Sequence, residues 1–120
     1  MSMDKNYYVV YGYDLTKYKT DKYEDWRWTD EGEEFTCNQR KGHIQLFDDP
    51  MRESYLYFGY IFASGDEYDF ETTKFDIIEA ERQTTDIANK LRRLKDIGII
   101  NEDFDEFATP YEFIVFEEWT

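Results

Sequence analysis

One cysteine, one histidine, two prolines and no long apolar run set the first limits on this 120-residue chain. Cys37 has no second thiol to pair with, which suits a reducing compartment. A lone Cys37 and a lone His43 leave a tetrahedral zinc centre short of ligands. The longest apolar run, residues 55–63, is about half of the roughly 18 residues that a membrane-spanning helix needs. The glycines are scattered, so no glycine-rich phosphate cradle is present. No proline- or glycine-rich linker interrupts the chain, and its length fits one domain over residues 1–120. The opening residues Met1-Ser2-Met3-Asp4-Lys5-Asn6 lead straight into an aromatic stretch, without the apolar core of a signal peptide. A cytoplasmic protein is the expectation.

What the chain has in excess is acid and aromatic rings. Twenty-eight acidic side chains against fourteen basic ones give a net charge of −14 at pH 7. Such a surface repels duplex nucleic acid and anionic membranes at long range, and attracts a basic partner. The same charge also keeps an aromatic-rich protein in solution, which is the plainer use of it. Aromatic residues make up 20% of the chain and favour strands, so the composition leans towards sheet plus helix.

Residues 75–98 carry the marks of a long helix. Asp76 and Glu79 have capping-box spacing. Ile77, Ala80, Ile87, Leu91 and Leu94 recur at helical spacing, with Thr84 in the gap. Gly98 stands where a left-handed residue would end the helix, and Ile99 where it would touch Leu94. Strands are expected over residues 7–13, within 36–47, and over 55–63, 67–75 and 111–116, the middle three as an antiparallel meander. Residues 14–34 lack periodicity. They read as an elaborated loop with a short helical turn around residues 21–26, anchored by Tyr18, Tyr23, Trp26 and Trp28. The fold class is therefore α+β: a mainly antiparallel sheet of about five strands with one long helix packed on one face. The strands over 7–13, 55–63 and 111–116 carry large apolar groups on both sides. The second face then needs a cover, from Trp26 and Trp28, from a second copy in a homodimer, or from a partner.

No motif names a reaction. A nucleophile–base pair of Cys37 and His43 requires hydrogen-bond contact and a third group to orient the base, and an incidental thiol and a surface imidazole are the commoner outcome. The acidic runs over residues 66–71 and 102–105 lack the central glycine and ligand spacing of an EF-hand loop, so no metal and no cofactor is assigned. Carboxylate pairs of the kind that hydrolyse glycosides arise by chance in a chain this acidic. Lys90, Arg92, Arg93 and Lys95 complement the helix dipole and are expected to pair with Asp86, Asp96 or neighbouring loops.

The acids suggest a surface instead. Along a strand, Glu67, Asp69 and Glu71 would share one side at about 6.7 Å spacing, close to the separation of successive phosphates. Acids that merely blunt an exposed strand are the simpler alternative. Asp21, Glu24, Asp25, Asp30, Glu31, Glu33 and Glu34 add charge around Trp26 and Trp28, whose rings would stack on a partner or lid the core. The expected function is that of a non-enzymatic interaction protein, binding and inhibiting a basic-surfaced partner, including a nucleic-acid enzyme by mimicry of its substrate. In composition this is similar to small phage-encoded inhibitors that occupy nucleic-acid sites. The alternative is a ligand-binding or hydrolytic domain with a pocket near Trp26, Trp28, Cys37 and His43.

Overall fold

The run Tyr7-Tyr8-Val9-Val10-Tyr11 is apolar on both sides, and it forms the strand that the others surround. A computed structural model describes residues 5–38, 40–48, 55–66 and 77–119. This first strand, β1 (Lys5–Asp14), is followed by a 3-10 turn (Thr16–Tyr18), α1 (Tyr23–Trp26), α2 (Asp30–Thr36), β2 (Ile44–Asp48), β3 (Leu56–Asp66), α3 (Ile77–Arg82), α4 (Thr84–Asp96) and β4 (Glu112–Trp119). The sheet order is β2-β3-β1-β4, and every neighbouring pair is antiparallel. The α+β class holds, with helices and an antiparallel sheet. Two particulars differ from expectation. The described residues hold four strands, and the fifth expected strand, over residues 67–75, lies outside them, as does Asp76.

The single long helix is also corrected: it is two helical segments that meet at Gln83. There the backbone N–H of Gln83 donates to the Ala80 carbonyl three residues back, and the Thr84 hydroxyl donates to the Glu81 carbonyl. A tightened turn and a side chain competing for a helix carbonyl interrupt the regular ladder. Ala80, Ile87, Leu91 and Leu94 face the core as their spacing predicts, whereas Ile77 is exposed beside Ile78. The C-terminal end follows its sequence signal closely. Gly98 has φ +85°, its N–H donates to the Lys95 carbonyl, and the Ile99 N–H donates to the Leu94 carbonyl, which is the double bond of a Schellman cap.

The main core lies between the helices and one sheet face. Val9 and Tyr13 of β1, Ile44 and Leu46 of β2, and Phe58, Tyr60 and Phe62 of β3 meet Ile87, Leu91 and Leu94 of α4 there. A register shift between Val9 and Val10 lets both Phe62 and Ala63 join this side. On the other face Val10, Phe47 and Ile61 are fully buried, and Tyr8 nearly so. Their shield is aromatic. Phe116 sits 4.9–5.5 Å, ring centre to ring centre, from Tyr8, Phe47 and Tyr57, and Tyr55 stacks on Tyr57 at 4.8 Å. Trp26 and Trp28 are not part of it, which corrects the expectation that they lid the second face: among the described residues, Trp26 packs with the helix-side core.

The central strands approach unusually closely where Gly12 of β1 faces Gly59 of β3. A Cβ on Gly12 would run into the Phe58 carbonyl oxygen, and one on Gly59 into the Tyr11 carbonyl oxygen. Backbone atoms of a central strand pair cannot yield as a side chain would. Gly12→Ala or Gly59→Ala is therefore expected to cost about 2 kcal/mol or more, read from urea unfolding midpoints.

Candidate partner-binding surface

Residues 14–36 hold eight acids against four bases, and residues 99–112 hold five acids and no base. The fold brings these two stretches together. Thr20 N–H donates to the Ile99 carbonyl (3.0 Å), the Thr20 hydroxyl to the Gly98 carbonyl (2.6 Å), and Asn101 N–H to the Tyr18 carbonyl (2.7 Å). Lys19 and Ile100 complete this short antiparallel clasp. The helix cap at Gly98 turns the chain into it, so the cap positions the acidic end as well as ending α4.

The basic turns of α4 lie between the stretches. Arg93 and Lys95, two residues apart, point to opposite flanks of the helix. Arg93 Nε lies 3.0 Å from Glu31 Oε2, and Lys95 Nζ donates to Glu106 Oε2 (3.0 Å) and to the Phe104 carbonyl (2.8 Å). Glu106 lies in a neighbouring loop, one of the expected partners, and Glu31 in α2, whereas Asp86 and Asp96 form no ion pair among the described residues. Hydrogen bonds from Arg93 and from the Trp26 indole hold the Glu31 carboxyl below its usual range. Burial pushes the Glu106 carboxyl up, but a backbone hydrogen bond and Lys95 outweigh it and leave that group lowered too.

Residues 14–34 are not a loop with one turn. Thr29 caps α2, its hydroxyl accepting from the Gly32 N–H (3.1 Å), and Asp30, Glu31 and Glu33 fall in the first turn, where the helix dipole favours acids. The Thr-x-x-Gly spacing hides this cap, because the usual acid at the fourth position is displaced by Gly32, whose Cβ would strike the Trp26 carbonyl and the Arg27 backbone. Gln45 fastens α2 to the sheet edge by donating to the Glu34 carbonyl and accepting from Asn38 N–H.

The second anchor was hidden in what reads as turn chemistry. Asp48 ends β2 largely buried, with Arg27 Nη1 and the Tyr23 hydroxyl each 2.8 Å from its Oδ2. Arg27 Nε and Nη1 are buried without a well-directed hydrogen bond, so the Arg27–Asp48 contact is ionic in character. Arg27 in turn lies 4.6 Å from the ring centre of Trp28. Because the backbone here is helical rather than extended, Trp26 and Trp28 part company. Trp26 packs on Phe35 and Tyr23, while Trp28 is 69% exposed, braced from behind by Arg27.

Asp21, Asp25, Asp30, Glu33 and Glu34 are exposed, and Glu24 is half-buried. Among the described residues none of these six forms an ion pair. Glu67, Asp69 and Glu71 lie outside the described residues. Cys37 and His43 are both exposed. The Cys37 sulfur has the Thr36 hydroxyl at 3.7 Å and the His43 ring faces the Asn38 amide, with no bond between the two among the described residues. A cleft of about 400 Å³ lies elsewhere, lined by Arg92, Lys95, Asp96, Glu102 and Glu106. No group of metal-ligating side chains gathers among the described residues, and none of their helices is long and apolar enough to cross a membrane. No family model, characterised protein or solved structure matches the chain. The surface must therefore be read from its own chemistry.

Two outcomes follow from the anchors. Asp48→Asn leaves Arg27 buried without its counter-ion and is expected to cost about 3 kcal/mol in urea unfolding, with Tyr23→Phe costing about 1 kcal/mol. Burial first, then the Asp48 carboxylate, push the Tyr23 hydroxyl well above its ordinary range; burial and the Tyr111 hydroxyl do the same to Tyr13. A raised value in the folded state means stability is intact below the ordinary phenol range, near about pH 10, and is lost as pH rises beyond it. In an alkaline titration followed by tyrosinate absorbance, Tyr23 and Tyr13 should ionise only together with unfolding.

Proposed function

We propose that this chain is a non-enzymatic interaction protein of the cytoplasm that binds a basic-surfaced protein and inhibits it, a nucleic-acid enzyme being the partner class its charge fits best. The observation that carries the reading is Trp28. It is held out of the core on a buried Arg27–Asp48 support, in the same segment as the exposed Asp21, Asp25, Asp30, Glu33 and Glu34, which form no ion pair among the described residues. An exposed tryptophan on a rigid support supplies the anchor of an interface, and unpaired acids around it supply steering. Mimicry of a nucleic acid is the version of this reading in which the acids occupy the phosphate positions of the partner's groove. Direct binding to nucleic acid or to an anionic membrane is disfavoured by the net charge of −14.

A different protein suits this surface better than a second copy of the chain. Two such acidic ends repel each other, and Val10 and Ile61 on the second sheet face are already shielded by the chain's own rings. Affinity capture from the native host tests the reading at about 50 mM and about 200 mM salt, a range over which phosphate-like contacts weaken steeply. One partner retained at low salt, lost at the higher, and bound at least about tenfold more weakly by Trp28→Ala is expected. Capture indifferent to salt would remove the mimicry version.

A further inference from the structure

Phe107 is the most exposed large apolar side chain among the described residues, at 86%. Phe104, three residues earlier in the same acidic loop, is buried at 1% between Tyr13 and Tyr18, 5.0 and 4.9 Å away ring to ring. One ring thus nails the loop to the core and the other is turned outwards. The Phe107 backbone is fixed: its N–H and that of Ala108 donate to Asp105 Oδ1, and the Thr109 hydroxyl and N–H return to the Asp105 carbonyl. None of these bonds involves the Phe107 ring, so a polar residue would serve the turn equally well. Leaving such a ring in water forgoes roughly 1.5–3 kcal/mol of burial.

The surroundings state what would fit it. Beside the loop opens the cleft between Arg92, Lys95, Asp96, Glu102 and Glu106. Lys95 is already satisfied by Glu106 and the Phe104 carbonyl. Asp96 and Glu102 form no ion pair among the described residues. Three carboxylates against two cations leave the lining with one net negative charge, and the whole of residues 99–112 carries no base. We propose that Phe107 is a second interface anchor, entering an apolar site on the partner that is bordered by arginine or lysine, one of whose side chains seats in the adjacent cleft against Asp96 and Glu102. The occupant is a basic protein segment with an apolar centre. This deepens the interaction reading and rests on it, but it assigns the contact to residues 101–109 rather than to Trp28.

The test uses two amidated peptides, Arg-Arg-Leu-Leu-Arg-Arg and Arg-Arg-Ser-Ser-Arg-Arg, followed by backbone amide NMR on the full chain. The leucine peptide is expected to shift amides of residues 101–109 and to bind the Phe107→Ala variant about tenfold more weakly, with Val115→Thr, an exposed apolar position on β4, unchanged. The serine peptide should bind the native chain more weakly than the leucine peptide. Phe107 is so exposed that its replacement should leave the rest of the spectrum in place, and the same spectra check this. Equal binding of the two peptides, or shifts confined to residues 21–34, would overturn the assignment to Phe107 while leaving the interaction reading standing. No shift with either peptide would overturn both.

Discussion

Both faces of β1 are apolar and both of its edges are paired, and the need to cover that strand shapes the rest of the molecule. Val9 and Tyr13 require a layer on one side, which α4, Leu15, Tyr23 and Phe35 supply. Tyr8 and Val10 require a layer on the other, which Phe116, Tyr55 and Tyr57 supply with their own rings. The aromatic excess therefore has a structural use. It builds a second, thinner core in which Phe116, Tyr55 and Tyr57 pack against Tyr8, Val10, Phe47 and Ile61. The Gly12–Gly59 crossing belongs to the same requirement, since β1 and β3 can approach as they do only where neither carries a side chain.

Much of this was legible. The four described strands and the end of α4 follow from residue type and spacing: alternation of rings and branched aliphatics, then Gly98 and Ile99 in their capping positions. The acidic segment was misread because its order is not periodic. Apart from the local Thr29 cap on Gly32, its two short helices are held by single side chains acting at a distance, Gln45 on the Glu34 carbonyl, and Asp48 on Tyr23 and Arg27. None of those pairings has a sequence signal, because each depends on which strand end arrives beside which loop. Asp48 in particular reads as the start of a turn and proves to be a buried counter-ion. Likewise Phe104 and Phe107 look equivalent in sequence, and only the aromatic box of Tyr13 and Tyr18 separates them.

The acidic end is then a consequence of the same framework rather than an addition to it. Residues 18–20 and 98–101 clasp each other, Arg93 and Lys95 tie one acid from each stretch, and Phe104 and Tyr23 root both stretches in the core. Outside this bonding stand a set of acids with no ion pair among the described residues, and the exposed rings of Trp28 and Phe107. Preorganisation of this kind lowers the entropic cost of association, because loops that are already ordered need not be fixed on binding.

The central claim is that these two distant acidic stretches form one preformed surface fastened to the sheet. Native-state hydrogen exchange at the clasp amides tests it most directly. The account predicts that the amides of Thr20 and Asn101, which donate across the clasp, exchange nearly as slowly as those of Val9 and Val10 in β1, and far more slowly than the amides of residues 21–22 and 102. Exchange of Thr20 and Asn101 at the rate of an unstructured loop, with β1 still protected, would contradict it.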